Sequence, residues 1–271
     1  MIIAQITDLH LRTDGYPLKG KVDSQAALNA AIEHLNQMEP RPDLVLVTGD
    51  LVNKAHEQDY QGLRRELDRL EMPCYVIPGN HDERDLIRQY FGDCGYLPDD
   101  GEFLHFTLDD AHQSLRLIGL DTKRQGHDGG EMCEERLQWL DDTLASAPQR
   151  PTVIFMHHPP FITGIGFMGV KRFEGSQEME AIVERHDQVQ RVICGHAHRD
   201  ITVRWGGTVA SVASSLVFQM AMDLREGAKS SFVLEPAACA IYKWHKDQGL
   251  IAHRSVIGDF GARHPFVVDP L

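Results

Sequence analysis

Asp8 with His10, Asp50, Asn80 with His81, His157, and His196 with His198 share one setting: each group stands directly after a short apolar run. The runs are residues 2–6, 44–47, 74–77, 152–156 and 191–194. These side chains offer oxygen or imidazole nitrogen and no thiolate. That donor set suits Zn, Mn, Fe or Co better than a Cys-based structural zinc. The pairs Asp8/His10 and His196/His198 are two residues apart, so in an extended or tightly turned segment both members can point the same way. Each residue alone has an ordinary structural reading. Asp50 could cap a following helix, and Asn80 could occupy a left-handed turn after Gly79. Five such clusters, each at the end of an apolar strand, make a joint signal for a paired-metal site. Two cations need a bridging group. Asp50, alone on the Gly49-Asp50 corner, is the best candidate, because a carboxylate has two oxygens and a charge that offsets cation repulsion.

The elements that must position these residues alternate at first. Strand 2–6, helix 26–38, strand 44–47, helix 57–70 and strand 74–77 follow in order, which favours an α/β sheet covered by helices. Polar clusters at strand ends are where a shared site assembles in such sheets. Strands are expected at 103–108 and 115–120 as a hairpin, a helix at 134–144, a strand at 152–156, a Gly-rich loop at 163–169, a helix at 177–185 and a strand at 191–194. The last quarter reads as strands 201–205, 208–212, 238–244 and 251–257, expected to make a second, partly antiparallel sheet. The chain of 271 residues is read as a single domain, with an excursion at about 216–236 that serves as a cap or an oligomerisation surface.

Acidic residues number 40 against 27 basic ones, a formal net charge of −13. That argues against a large nucleic-acid surface, which needs clustered Lys and Arg. It leaves a small phosphate ester open, because a metal pair supplies local positive charge. The five cysteines are odd in number and contain no CxxC pair, so a disulfide framework is not expected. Residues 1–8 do not read as a signal peptide and no apolar window reaches membrane length, so cytoplasm is the expected compartment.

The motifs Asp8-Leu9-His10, Gly49-Asp50, Gly79-Asn80-His81-Asp82, His157 and Gly195-His196-Ala197-His198 resemble those of the calcineurin-like metallophosphoesterases. Residues 8–198 carry them, about three-quarters of the chain. Within that family the chain resembles the bacterial class III cyclic-nucleotide phosphodiesterases and the branch that contains a glycerophosphodiesterase. Its Ile6-Thr7-Asp8-Leu9-His10, Lys19-Gly20 to Val22-Asp23 and Phe155-Met156-His157-His158-Pro159-Pro160 segments carry that likeness. The resemblance implies a four-layer αββα sandwich of two mixed β-sheets flanked by helices, with the metals at one edge. It implies that Asp8, His10 and His198 hold one metal, that Asn80, His157 and His196 hold the other, and that Asp50 bridges them. It makes His81 the outer histidine near the leaving group. It also implies a homodimer or higher homo-oligomer.

The expected chemistry is hydrolysis of a small phosphodiester with two divalent ions of Fe, Mn, Zn or Co, in which metal-activated water attacks phosphorus. Asn80, His81 and His158 are candidate substrate contacts. His81 is a candidate proton donor, and Asp82 is expected to orient it. The resemblance leans towards 3′,5′-cyclic nucleotides such as cAMP. A glycerophosphodiester or broad diester substrate, a phosphomonoesterase, and a non-catalytic metal-dependent scaffold are the alternatives. Selectivity is expected from residues 11–23, 56–60, 163–173 and 216–235, with Phe161, Phe167, Phe173 or Phe218 as possible stacking faces.

Overall fold

Ile2–Ile6 (β1), Leu44–Thr48 (β2) and Cys74–Ile77 (β3) are short, strongly apolar strands, and β2 is buried along its whole length. Runs of this kind suit parallel strands covered on both faces. In the computed structural model, which describes residues 1–109, 115–168, 173–261 and 264, these strands lie side by side in parallel. The helices Ser24–Asn36 (α1) and Glu57–Leu67 (α2) connect them. Asp23 caps α1, its carboxylate accepting from the Ala26 N–H at 3.0 Å. A third helix, Arg84–Phe91 (α3), follows β3.

Phe106–Leu108 (β4) and Arg116–Leu120 (β5) pair antiparallel as expected, with the turn between them lying outside the described residues. Glu134–Ala145 (α4), Thr152–Met156 (β6), Ser176–Glu184 (α5) and Val189–Cys194 (β7) follow. Next come Ile201–Trp205 (β8), Thr208–Val212 (β9), the short pair Gln219–Met220 (β10) and Phe232–Val233 (β11), then Ala238–His245 (β12) and Gly249–Val256 (β13).

One sheet has the order β13-β12-β1-β2-β3 and the other β4-β5-β6-β7-β9-β8. The expectation that the late strands form a sheet of their own is therefore corrected. β8 and β9 extend the second sheet beside β7, whereas β12 returns to pair antiparallel with β1 at the far end of the chain. Period-two alternation explains the layers. Leu117, Val153 and Phe155 belong to the core shared with β1 to β3, α1 and α2. Their neighbours Ile118, Ile154 and Met156 face the other way, into a second core with Leu140 and Leu144 of α4 and Met179 and Val183 of α5. The result is helix, sheet, sheet, helix. Gln5 ties the sheets together. Its side-chain amide donates to the Thr48 hydroxyl and to the Cys194 carbonyl, both at 2.8 Å, and its oxygen accepts from the Tyr242 hydroxyl.

Among the described residues no helix is long and apolar enough to cross a membrane. The apolar run at 216–218 is used internally, since Leu216, Val217 and Phe218 are buried within the chain.

Candidate metal centre

The ends of β1, β2 and β3 in one sheet and of β6 and β7 in the other meet at one edge of the sandwich, and every candidate ligand lies there. The backbone is sharply turned at these points. Asp8, His10, Asp50, His196 and His198 all have positive φ, between 42° and 68°. Non-glycine residues rarely adopt this region, and such strain concentrates where a site dictates geometry. Neither bland reading of the sequence is what the backbone does. Asp50 is not followed directly by a helix, and Asn80 is not among the positive-φ residues.

Asp8, His10, Asp50 and His198 are all buried, and one ligand atom from each lies within 4.8 Å of the others. His198 Nε2 is 3.2 Å from Asp8 Oδ1 and 3.1 Å from His10 Nε2. His10 Nε2 is 3.5 Å from Asp50 Oδ2. On the other side, Asp50 Oδ1 is 3.4 Å from His157 Nε2, which is 3.2 Å from Asn80 Oδ1. Asn80 Oδ1 is in turn 3.1 Å from His196 Nδ1. The two oxygens of Asp50 thus face different halves of the site, as a bridge requires.

These atoms fit a metal pair. Ligands bound at about 2.0–2.2 Å from one ion are separated from each other by about 3.0–3.5 Å. The tautomers fit as well. His157 Nδ1 is 2.8 Å from the Thr48 carbonyl and His198 Nδ1 is 3.0 Å from the Phe218 carbonyl. A carbonyl can only accept, so both Nδ1 atoms carry the proton and each Nε2 turns its lone pair inward, the usual arrangement behind metal-ligating histidines. Burial works against charge on His157, but Asp50 outweighs it and pushes the imidazole up to about 9. Burial likewise opposes ionisation of Asp50, yet His157 holds the carboxyl well below its ordinary value. His10, mainly through burial, is lowered to about 3.

The loop 78–82 is held from both sides. Asp82 was expected behind the His81 ring. Its buried carboxylate instead accepts from the N–H groups of Leu51, Val52 and Gly79 and from the Tyr60 hydroxyl. Burial and then the nearby Asp50 raise its pKa to about 6. His81 donates its backbone N–H to Asp50 Oδ1 at 2.9 Å, and its ring Nδ1 donates to the Asn53 carbonyl at 2.7 Å. The His81 ring itself is exposed and meets His10 edge-on, with centroids 4.7 Å apart.

Sequence reasoning missed the support behind Asn80. The buried Lys123 donates from Nζ to the Asn80 carbonyl at 3.2 Å. Arg84 grips the buried Asp121 with two nitrogens and also donates to the Lys123 carbonyl. Arg136 donates to the carbonyls of Asp121 and Lys123. A Lys two residues after a buried Asp is the only trace of this in the sequence, and it is too common a pattern to be diagnostic.

Gly79 gives a test of the packing. A Cβ there would lie 2.2 Å from Asp50 N and 2.3 Å from Asp50 Oδ1. Gly79→Ala is therefore expected to displace the bridging carboxylate, costing about 1–3 kcal/mol of stability together with metal content. Thermal unfolding and elemental analysis measure both. Unchanged metal content with full stability would show that Asp50 is not held in this position.

A cleft of about 290 Å³ opens over the ligands, with Lys19, Asn53, Asp128, Ser230, Ser231 and Phe232 on its outer walls. Of the segments expected to govern selectivity, 11–23 and 216–235 contribute to it, while residues 169–172 of the third lie outside the described residues. Phe218 stacks beside His10 and His198 and against Phe232.

Comparison with known proteins agrees with this geometry. The chain is 35% identical over 267 residues to the "Probable glycerophosphodiester phosphodiesterase GpdQ" of Arcobacter nitrofigilis, covering 98% of this chain and 97% of the relative. It is 30% identical to the glycerophosphodiester phosphodiesterase GpdQ of Enterobacter lignolyticus, covering 93% and 92%. Identity to the 3′,5′-cyclic adenosine monophosphate phosphodiesterase CpdA of Escherichia coli K12 is 27%, over 76% of this chain and 72% of that one. The fold is similar to that of a dimetal phosphatase from Danio rerio, with a TM-score of 0.64 at 14% identity, covering 95% of this chain and 99% of that one. The family model for calcineurin-like phosphoesterases matches residues 1–200, which include every candidate ligand, and the chain belongs to that family.

Proposed function

We propose that the protein is a dinuclear-metal hydrolase of small phosphodiesters, and that a glycerol-headed diester is the substrate class it serves best. Asp8, His10 and His198 would hold one ion, Asn80, His157 and His196 the other, and Asp50 both. When bound, the metal pair neutralises phosphate charge and activates water as the nucleophile.

The chain's own residues supply the rest. The Asn80 carboxamide, fixed through its backbone by Lys123, keeps its oxygen toward the ligands and leaves its NH2 to donate to phosphate. The His81 ring, fixed at Nδ1 by the Asn53 carbonyl, keeps Nε2 for the cleft, where it can meet the phosphoryl group or the departing oxygen. Departure of an alkoxide from phosphorus requires such help, because it is a poor leaving group.

The observation that carries the choice of substrate is the reach of the likeness. The glycerophosphodiester phosphodiesterases match this chain along nearly its whole length, including residues after 200. Those residues bring Ser230, Ser231 and Phe232 to the cleft wall. Hydroxyl, amide and carboxylate groups there suit the hydroxyls of a glycerol arm. This moves the weight away from the cyclic nucleotides towards which the subfamily resemblance leans. The cyclic-nucleotide reading keeps one specific support, the half-buried Phe232 in the same cleft, whose ring offers a face for a base.

A single metal-reconstituted preparation tests both. Measured side by side, kcat/KM for glycerophosphoethanolamine is expected to exceed that for cyclic AMP. Both should exceed the value for glycerol 3-phosphate by more than about tenfold, or about 1.4 kcal/mol of differential transition-state stabilisation. Preference for the monoester by that margin would overturn the diesterase reading.

A further inference from the structure

The cleft over the metal centre has one wall that the two large sheets do not build. Ser230, Ser231 and Phe232 come from the hairpin of β10 and β11, which leaves the chain just after Phe218 and ends at Glu235. Its ladder is short, with Gln219 opposite Val233 and Met220 opposite Phe232. One further bond runs from the Ala221 N–H to the Ser231 carbonyl. A two-stranded ribbon of that size is not stable by itself in water. Met222, Leu224 and Arg225 between its strands are exposed and add little burial. The Phe232 ring lies against Phe218, with centroids 5.0 Å apart, and the Gly166 N–H donates to the Asp223 carbonyl near the tip at 2.9 Å. The base of the hairpin needs an anchor of its own.

Arg199 supplies it. This residue directly follows the candidate ligand His198, and its side chain is 10% exposed. One guanidinium nitrogen donates to the Met220 carbonyl at 2.6 Å, on the outgoing leg. The same nitrogen and its twin reach the Glu235 carboxylate at 3.1–3.3 Å, on the returning leg. A guanidinium can do this because its donors diverge in a fixed fork, which an ammonium lacks. Gln219 closes the base from the other side. Its side-chain nitrogen donates to the Ser215 carbonyl and its oxygen accepts from the Glu235 N–H, both at 3.0 Å. Asp200, the next residue in the chain, is committed elsewhere: it accepts from the Ser214 N–H and pairs with Arg254. His198 donates from Nδ1 to the Phe218 carbonyl, so two consecutive residues of the ligand loop hold residues 218 and 220.

We propose that Arg199 is a positioning residue for the substrate: by clamping Met220 and Glu235 together it holds the Ser230–Phe232 wall over the centre, and so sets how tightly the arm beyond the phosphate is bound. It acts through the wall and touches neither phosphate nor metal. Its loss should therefore be felt in affinity and not in the turnover of bound substrate. The inference rests on the reading that this cleft receives a glycerol arm, and adds the residue that fixes the wall.

Glycerol 3-phosphate and inorganic phosphate separate the wall from the metals, since both offer a phosphate and one alone has an arm. In calorimetric titrations of Mn-loaded wild-type protein, glycerol 3-phosphate is expected to bind at least about fivefold more tightly than phosphate. In Arg199→Met and in Glu235→Ala that advantage should fall to about twofold or less, with phosphate affinity and metal content at the wild-type level. For glycerophosphoethanolamine, KM should rise by about fivefold or more while kcat changes by less than about twofold, the pattern of lost uniform binding. Arg199→Lys should lie between Arg199→Met and wild type. Trypsin gives a readout free of ligand: cleavage after Arg225 or Lys229 should be faster in both variants, because an unclamped hairpin opens more often. Glu235→Ala removes a half-exposed carboxylate and keeps the backbone N–H that Gln219 accepts, so it decides the matter if Arg199→Met does not fold. An undiminished preference for glycerol 3-phosphate in folded, metallated Glu235→Ala protein would overturn the inference alone. So would loss of metal from that protein, which would place the effect at His198. Equal affinity of the wild-type protein for the two ligands would remove the reading that a glycerol arm occupies the cleft, and the inference with it.

Discussion

Asp50→Ala is expected to remove metal from both halves of the site and to lower kcat/KM by more than about a thousandfold, about 4 kcal/mol of transition-state stabilisation. The reason is geometric. One oxygen of Asp50 lies 3.5 Å from His10 Nε2 and the other 3.4 Å from His157 Nε2, so a single truncation takes a ligand from each side. It also leaves the His81 backbone N–H without the acceptor it has at 2.9 Å, loosening the loop that presents Asn80. The charge matters as much as the shape. Asp8 and Asp50 are the carboxylates of the buried four-residue group, and removing one halves the negative charge that offsets two cations. Asp50→Asn, which keeps size and loses charge, should fall between wild type and Asp50→Ala. Elemental analysis after exhaustive reconstitution with Mn, Co, Zn and Fe in turn is the measurement. Two full equivalents of metal in the Asp50→Ala protein would show that the residue is not the bridge.

The candidate ligands that the structure gathers at one sheet edge were conspicuous because each follows an apolar strand, where a carboxylate or imidazole stands out. The strands were legible for the same reason: β2 and β6 are unbroken apolar runs of the length a covered strand needs. What sequence could not give was partnership. The strand character of 238–244 is plain, but its pairing with β1 joins residues more than two hundred positions apart, and nothing local encodes that choice. The helix α3 escaped because its sequence is polar apart from a thin stripe in which Ile87 and Phe91 alone are buried. The supports of the site escaped for a different reason. The groups that fix the tautomers of His157, His198 and His81 are the backbone carbonyls of Thr48, Phe218 and Asn53, and a carbonyl has no residue signature. Asp82 was placed by its neighbour in sequence, His81, whereas its partners are set by the fold, in the corner after β2 and in α2.

His81→Ala should produce the second large effect, and of a different kind: a loss of about a hundredfold to a thousandfold in kcat/KM on diesters of ordinary alcohols, with metal content kept. Two observations separate this residue from the ligands. Its hydrogen bond to the centre is through the backbone N–H to Asp50, which alanine retains, its ring meets His10 only edge-on, and its ring Nδ1 is bonded to the Asn53 carbonyl. With the Nδ1 proton committed there, Nε2 is the atom available to substrate, and the ring can act as an acid only when doubly protonated. The leaving group then distinguishes the two tasks a cationic or donor nitrogen could perform. If His81 gives a proton to the departing oxygen, the loss should be large for glycerophosphoethanolamine and small for a 4-nitrophenyl diester, whose phenolate leaves unaided. If it holds the phosphoryl group, both substrates should lose equally. The ring's exposure and its place in the wall of the polar cleft favour the first outcome, because a group that meets the leaving oxygen must stand outside the shell of buried ligands. Loss of one full equivalent of metal in His81→Ala, with the fold intact, would instead put the ring among the ligands.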